Sequence, residues 1–349
     1  MCGDGSPTDV GQAMPRAAPG AAVDPIALEP VDAVEVTTLV DNVFDALLTG
    51  DERTRRPGWF TARTAAPQFE DGETPVGLVA EHGFAALVTV HRAGTTTSLL
   101  LDTGLSPDAV VTNADRLGVD LTAVQGIVLS HGHFDHAGGL AGLARRLGRR
   151  RMPIVVHPRA WTRRRLAVPH QEPHLLPTLS QRALEGEGFA LVERREPSLL
   201  VDGCVLVTGE VDRTTDFERG MPPAHQAWTG GAWEHDPLVL DDQALVVHVR
   251  GRGLVVVTGC GHAGAVNIVR HAQRLTGVPE LHGLIGGLHL GGPAFEPVIP
   301  PTVAALTGLG PALVVSGHCT GWRAQHALAA ALPDAWTPGS SGSTFRLAA

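Results

Sequence analysis

Ser130-His131-Gly132-His133-Phe134-Asp135-His136 is the stretch on which the reading of this chain turns. It stands where an apolar run, AVQGIVLS, ends and a glycine-containing helical pattern, AGGLAGLARRLG, begins. Three imidazoles and a carboxylate so close together are costly for a core and unhelpful for a turn. Zinc accepts imidazole nitrogen and carboxylate oxygen at about 2.0–2.2 Å, and four such neighbours cannot all reach one ion with good geometry. The expected division is His131 and His133 on one metal, with Asp135 and His136 on a second roughly 3.5–4 Å away. Asp135 could then act both as ligand and as proton acceptor, so Asp135 and His136 are the candidate catalytic residues. Gly132 is expected to let the backbone turn tightly between ligands. A His-rich surface turn is the bland alternative, but the strand before and the helix after are what a metal motif needs.

Outward from this stretch the chain alternates. Upstream, VEVTTLVDNVF is a β-branched run, and GLVAEHGFAALVTVHRAGTTTSLLLDTG reads as two strands joined at Ala93-Gly94 and ending at Asp102. SPDAVVTNADRLGVD reads as a helix and MPIVVHP as a strand, whereas about 166–190 reads as irregular to helical. Downstream, the strands GCVLVTGE, QALVVHV and GLVVVTGC precede the helix AVNIVRHAQRL. LHGLIGG and ALVVSGH read as further strands, PTVAALTGL and RAQHALAAAL as helices. Two halves with the same alternation and little residue identity imply an α/β fold, a four-layer αββα sandwich. Residues 1–30, rich in Gly, Ala, Pro and Asp, read as a flexible N-terminal tail, about 49–75 as a polar loop or insertion, and 31–349 as a single domain.

SHGHFDHAGGL resembles the HxHxDH signature of the metallo-β-lactamase superfamily. Val207-Thr208-Gly209-Glu210, Thr215-Asp216-Phe217-Glu218, Asp242-Gln243-Ala244-Leu245, Thr258-Gly259-Cys260-Gly261-His262, Gly286-Gly287-Leu288-His289-Leu290 and Gly317-His318-Cys319-Thr320-Gly321 narrow the likeness. Together they resemble its dihydropterin-ribofuranosylaminobenzene-phosphate synthase-like branch, from about Val34 to the C-terminus. The resemblance implies the metallo-β-lactamase fold and His318 as the final metal ligand. Where the superfamily's bridging Asp of T-G-D would stand, this chain has Cys260; where a usual ligand histidine would stand, it has Glu210. His262 is the expected replacement ligand, giving the set His131, His133, Asp135, His136, His262 and His318. Without the bridging carboxylate, the second metal is expected to bind more weakly. Asp102 is expected to orient a ligand histidine. His157, Glu210, Cys260 and His289 are candidates for supporting or substrate contacts, Cys260 reading chiefly as a buried small hydrophobe. His82 is assigned a structural or rim role, and His225 is grouped with ordinary surface or core histidines.

Among 349 residues, 43% are hydrophobic and the formal charge is −9, which allows a sizeable core and disfavours a nucleic-acid binder. There is no lysine and no tyrosine, which excludes Schiff-base lysine, P-loop lysine and tyrosine-acid chemistry. Cys2, Cys204, Cys260 and Cys319 show no CxxC spacing, so neither a disulfide framework nor a zinc ribbon is indicated. No secretory pattern and no bilayer-length apolar run is visible, and the cytoplasm is the expected compartment. The expected cofactor is Zn2+, one or two per chain, with Fe or Mn as alternatives. The expected function is a metal-dependent hydrolase using a metal-activated water on a small anionic substrate. The arginines at 145, 146, 149, 150 and 151 and at 159, 163, 164 and 165 read as an ordinary solvated face in a lysine-free chain or as an anion-attracting rim, and the stretch from Ala227 to Trp233 as a packed surface loop or a lid over a flat ligand. The branch resemblance implies an alternative, a transferase joining a pterin diphosphate to a ribofuranosylaminobenzene phosphate. A non-catalytic metal- or ligand-binding protein is the third reading. Neither a nucleic acid nor a membrane is expected as partner, and the oligomeric state is left open.

Overall fold

The computed structural model describes residues 24–58, 62–148 and 151–349. In chain order, the first half runs β1 (Ala33–Val40), β2 (Ala85–Arg92), β3 (Thr95–Leu101), α1 (Ala109–Leu117), β4 (Ile127–Val128), α2 (Leu140–Leu147), β5 (Pro153–Val156), α3 (Gln181–Glu187) and β6 (Ala190–Glu193). The second half runs β7 (Val205–Val207), β8 (Ala244–Val249), β9 (Gly253–Thr258), α4 (Ala265–Thr276), β10 (Leu281–Gly287), α5 (Ile299–Leu309), β11 (Leu313–Gly317), α6 (Trp322–Ala331) and β12 (Thr344–Ala348). The first sheet has the order β6-β5-β4-β3-β2-β1-β12, with Thr54–Arg55 at its edge. The second has β7-β8-β9-β10-β11 between the edge strands Ser198–Leu200 and Trp336–Pro338.

Strand alternation builds three cores from these elements. Along β8, Leu245, Val247 and Val249 face the other sheet, where they meet Val34, Val88 and Leu101. Ala244 and Val246 of the same strand face α4 through Val266 and Val269. On the far side, Leu100 and Ile154 pack on Val110 of α1 and Leu143 of α2. Helices, sheet, sheet and helices are therefore stacked in four layers, as expected. β12 returns from the second half to pair antiparallel with β1. No helix among the described residues is long and apolar enough to cross a membrane.

Three expectations change. The stretch 49–75, expected as a polar loop or insertion, contains Thr54–Arg55 at the edge of the first sheet, and Arg63–Ala65 paired antiparallel with Glu73–Pro75. The packed chain begins before residue 31: Ile26 and Leu28 are buried in the helix-side core, and the Ile26 N–H donates to Leu275 O at 2.7 Å. Of the expected tail, residues 1–23 lie outside the described residues. The region 166–190 also contains strand. Arg164–Leu166, His174–Leu175, His225–Trp228 and Trp233–His235 form a separate four-stranded sheet, referred to below as the cap sheet.

Candidate metal centre

The chemistry-bearing turns follow the carboxyl ends of parallel strands. Asp102 follows β3, His131 and His133 follow β4, Cys260 and His262 follow β9, and His318 follows β11. The sandwich thereby gathers at one end residues that sequence holds far apart. Asp102, His289 and His318 have φ of 58°, 45° and 49°, so backbone strain concentrates at the same end.

Three imidazoles converge. His131 Nε2, His133 Nδ1 and His262 Nε2 form a triangle with sides of 3.0, 3.1 and 3.2 Å. Burial, then the neighbouring charged forms, holds all three rings well below the usual imidazole pKa, so they are neutral. Their outer nitrogens are engaged elsewhere: His131 Nδ1 with Ser130 Oγ at 2.9 Å and His262 Nδ1 with Met221 Sδ at 3.2 Å. The inner lone pairs face one another with no donor between them. A tetrahedral zinc at about 2.0–2.1 Å from each would set the nitrogens ~3.3 Å apart, so the donor set fits such an ion.

A second triangle lies alongside. His136 Nε2 is 3.1 Å from His318 Nε2, and Asp135 Oδ2 is 3.7 and 3.5 Å from these nitrogens. Burial pulls the His136 pKa down, but the Asp102 and Asp135 carboxylates outweigh it and raise it to about 9. Burial drives His318 well down. The exposed His82 ring stacks on His318 at 5.0 Å and comes within 3.9 Å of Asp135 Oδ2, at the rim as expected.

Asp102 and Ser130 organise both triangles. The buried Asp102 accepts from Ser130 N at 2.7 Å, Ser130 Oγ at 2.6 Å and His136 Nδ1 at 2.7 Å. Ser130 thus connects Asp102 to His131, a role that sequence reasoning did not give it. A Cβ on Gly259 would lie 2.1 Å from Ser130 Oγ, so only glycine lets the second-half turn approach this pair. Gly132 is needed for a similar reason: a Cβ there would meet Ala160 O at 2.2 Å. Space, rather than the tight turn expected, explains that glycine.

Cys260 Sγ lies within 4.8 Å of the ligand atoms of His131 and His262, and likewise of those of His136 and His318. It is 3.1 Å from His289 Nδ1 and 3.0 Å from Cys319 Sγ. The residue is buried as expected, but imidazoles and a thiol surround its sulfur, so the inert-hydrophobe reading is corrected. Two thiolates on one tetrahedral zinc at about 2.3 Å would be ~3.7 Å apart, wider than this pair.

The remaining candidates fall into supporting positions. His157 and Glu210 meet each other at 3.4 Å, and Glu210 accepts from Arg195 Nε at 2.6 Å. Glu218 accepts from Val266 N and Asn267 N, both at 2.8 Å, at the start of α4. Asp241 and Gln243 tie the two halves together, accepting from Gly132 N and donating to Leu129 O, while Asp242 accepts from Ala263 N within the second half.

The first arginine run includes residues of a solvated helix face. Arg145 and Arg146 pair with Asp108 and Asp115 on the surface, and Arg149 and Arg150 lie outside the described residues. Arg163 and Arg165 instead lie over Trp233 at 5.8 and 4.6 Å, so the arginine and tryptophan stretches share the cap sheet. From that sheet the buried His225 brings Nε2 to 3.2 Å from His133 Nε2. Nothing in its own sequence, PPAHQAW, marks it for this position. Open clefts flank the centre, the first beside His262, His289, Phe295 and Arg219, the second beside His318, Asn42 and Trp322.

A family model described as the metallo-beta-lactamase superfamily matches residues 80–272. The chain is 30% identical over 254 residues to 7,8-dihydropterin-6-methyl-4-(beta-D-ribofuranosyl)-aminobenzene-5'-phosphate synthase of Methanocaldococcus jannaschii, covering 70% of this chain and 83% of that protein. Its structure is similar to that of Tm1679, described as a metal-dependent hydrolase of the beta-lactamase superfamily. The TM-score is 0.65 at 23% identity, covering 90% of this chain and 100% of the other. Unliganded yeast PDE1 shares the fold at a TM-score of 0.50 and 10% identity, covering 91% and 100% of the two chains.

Proposed function

This chain belongs to the metallo-beta-lactamase superfamily, and from that premise we propose that it is a metal-dependent hydrolase of a small anionic substrate. The observation that carries the reading is the pair of donor triangles side by side at one end of the sandwich. His131, His133 and His262 would hold one ion and Asp135, His136 and His318 a second. Nitrogen and carboxylate donors favour zinc, with iron or manganese as alternatives. A metal bound there lowers the pKa of water to about 7 and polarises a carbonyl or phosphoryl oxygen.

The chain's own groups supply the rest. Asp102 and Ser130 hold His131 and His136 in orientation. The Asp135 side chain is 13% exposed and lies 3.9 Å from the 65% exposed His82, so it is placed to take a proton and pass it outward through an intervening water. Arg219 supplies positive charge to the cavity beside His262, while Leu290 and Phe295 give it an apolar wall. A cytoplasmic location belongs to the same proposal, because reduced thiols as close as Cys260 and Cys319 suit a reducing compartment.

A specific observation favours a second reading, a transferase joining a pterin diphosphate to a ribofuranosylaminobenzene phosphate. Cavities on both sides of the centre offer places for two substrates, and the similar archaeal protein is named as a synthase of such a product. Chelator-sensitive turnover of a phosphodiester and ester panel supports the hydrolase. Pyrophosphate release from a pterin diphosphate, dependent on the second substrate, favours the transferase. A protein that holds metal but turns over neither would be a binding protein, and the proposal would fall.

A further inference from the structure

The geometry points to His225 as a positioning residue that fixes His133 with its Nδ1 lone pair toward the metal, so that the cap sheet supports the metal centre. The inference rests on the reading of His131, His133 and His262 as a metal triad. It begins from a group whose role is unambiguous: the backbone carbonyl of Asp236 can only accept, so His225 Nδ1, 3.0 Å away, carries a proton. In a neutral imidazole the other nitrogen is then an acceptor. His225 Nε2 therefore accepts from His133 Nε2 at 3.2 Å, and it is His133 Nε2 that carries the proton. That leaves the His133 Nδ1 lone pair facing His131 Nε2 and His262 Nε2.

A second connection fastens the same sheet to the same motif. The buried Arg164 donates to Asp236 Oδ2 at 3.0 Å and to Asp241 Oδ2 at 3.1 Å. Asp241 in turn accepts from Gly132 N, between His131 and His133, at 2.8 Å. Asp236 thus holds His225 through its carbonyl and Arg164 through its carboxylate. Outer partners of metal-bound histidines set ring orientation and ligand basicity, and their loss typically costs about 10–100-fold in metal affinity.

The test uses the full chain, stripped of metal and titrated with Zn2+ against a chromophoric chelator, with Co2+ absorption as the geometric readout. His225→Phe keeps a ring but offers no acceptor, and should weaken the tighter site by about 10–100-fold and alter the Co2+ spectrum. His225→Gln presents an amide oxygen that can accept, and should recover most of the affinity. Equal Zn2+ affinity and an unchanged Co2+ spectrum in His225→Phe would overturn the inference. A wild-type protein that takes up no metal would overturn the triad reading instead. Should the Phe variant fail to fold, nitrogen-15 NMR of the zinc-loaded wild type decides. Protons on His225 Nδ1 and His133 Nε2 support the inference, and the opposite tautomer at either ring refutes it.

Discussion

The two donor triangles sit side by side yet are built differently. The His131–His133–His262 triangle has sides within 0.2 Å of one another, from 3.0 to 3.2 Å, and its rings have outer partners in Ser130, His225 and Met221. The Asp135–His136–His318 triangle is wider, reaching 3.7 Å; Asp102 holds His136 from outside at 2.7 Å, but His318 Nδ1 has no hydrogen-bond partner among the described residues. Rings held from outside are positioned before an ion arrives, whereas a looser set must be ordered by it. The first triangle should therefore hold its metal more tightly.

The largest effect is expected where that comparison is broken on its strong side. His262→Ala or His133→Ala should remove at least one metal per chain and abolish turnover, with far-ultraviolet circular dichroism near wild type. Metal analysis beside an activity assay checks this, and full activity in either variant would sink the assignment. Breaking the weak side should cost less metal. Asp135→Ala or His318→Ala should lose the weaker ion while keeping the tighter one, though Asp135→Ala should still end turnover through its proton-accepting role. If His318→Ala emptied both sites, the two triangles would be one coupled unit and the comparison would fail.

Legibility in the sequence follows the same division. His131, His133, Asp135 and His136 are neighbours in one turn, so residue type and flanking periodicity reveal them. His262 was singled out through the departure at Cys260, and its Nε2 stands 3.1 and 3.2 Å from His133 Nδ1 and His131 Nε2. His225 was not legible, because its approach depends on pairing between Arg164–Leu166 and His225–Trp228. Strands of two to four residues carry too few positions for an alternating pattern, which is why the cap sheet read as irregular chain. β12 escaped notice for a related reason: its pairing with β1 joins the two ends of the domain, and local sequence cannot report it.

Acidity should sharpen the contrast. In the metal-free protein, His131, His133, His262 and His318 stay neutral when folded, while unfolded imidazoles near 6.5 take up protons. The unfolded state then binds more protons, so stability present above about pH 6.5 is lost as pH falls below it. Asp41 and Asp242 act oppositely: burial raises them from 3.8 to about 6, so stability rises as pH falls from 6 towards 3.8. Glu218, also raised by burial, acts in the same direction as Asp41 and Asp242, whereas His157, His225, His248 and His282, also lowered by burial, add to the four rings. His136, raised to about 9, contributes stability present below 6.5 and lost as pH rises through 9. Chelator-stripped protein should therefore melt at its highest temperature near neutral pH, and zinc-loaded protein should show a steeper acid decline because its ligands must be deprotonated. Thermal melts from about pH 5 to 9 test this, and an apo midpoint that rises steadily toward acid would contradict the neutral-ring assignment.

The smallest effect is expected at Cys260, which stands between the triangles. Its sulfur lies close enough to both to bridge them, yet it already shares a hydrogen bond with Cys319 at 3.0 Å and faces His289 at 3.1 Å. The first triangle offers three nitrogens without it, which is the protein ligand count of a catalytic zinc site with an open position. Cys260→Ser should accordingly leave the tighter site within about threefold of wild-type affinity, below the ~10–100-fold cost of losing an orienting partner. Serine keeps a hydrogen-bonding group beside His289 and Cys319, so little packing is lost. The weaker site is where the substitution should register, as a modest drop in metal content at limiting Zn2+. If Cys260→Ser instead lost more metal than His262→Ala, the thiolate would be the ligand that joins the two sites. His262 would then belong to the substrate cavity that it lines with Arg219 and Phe295.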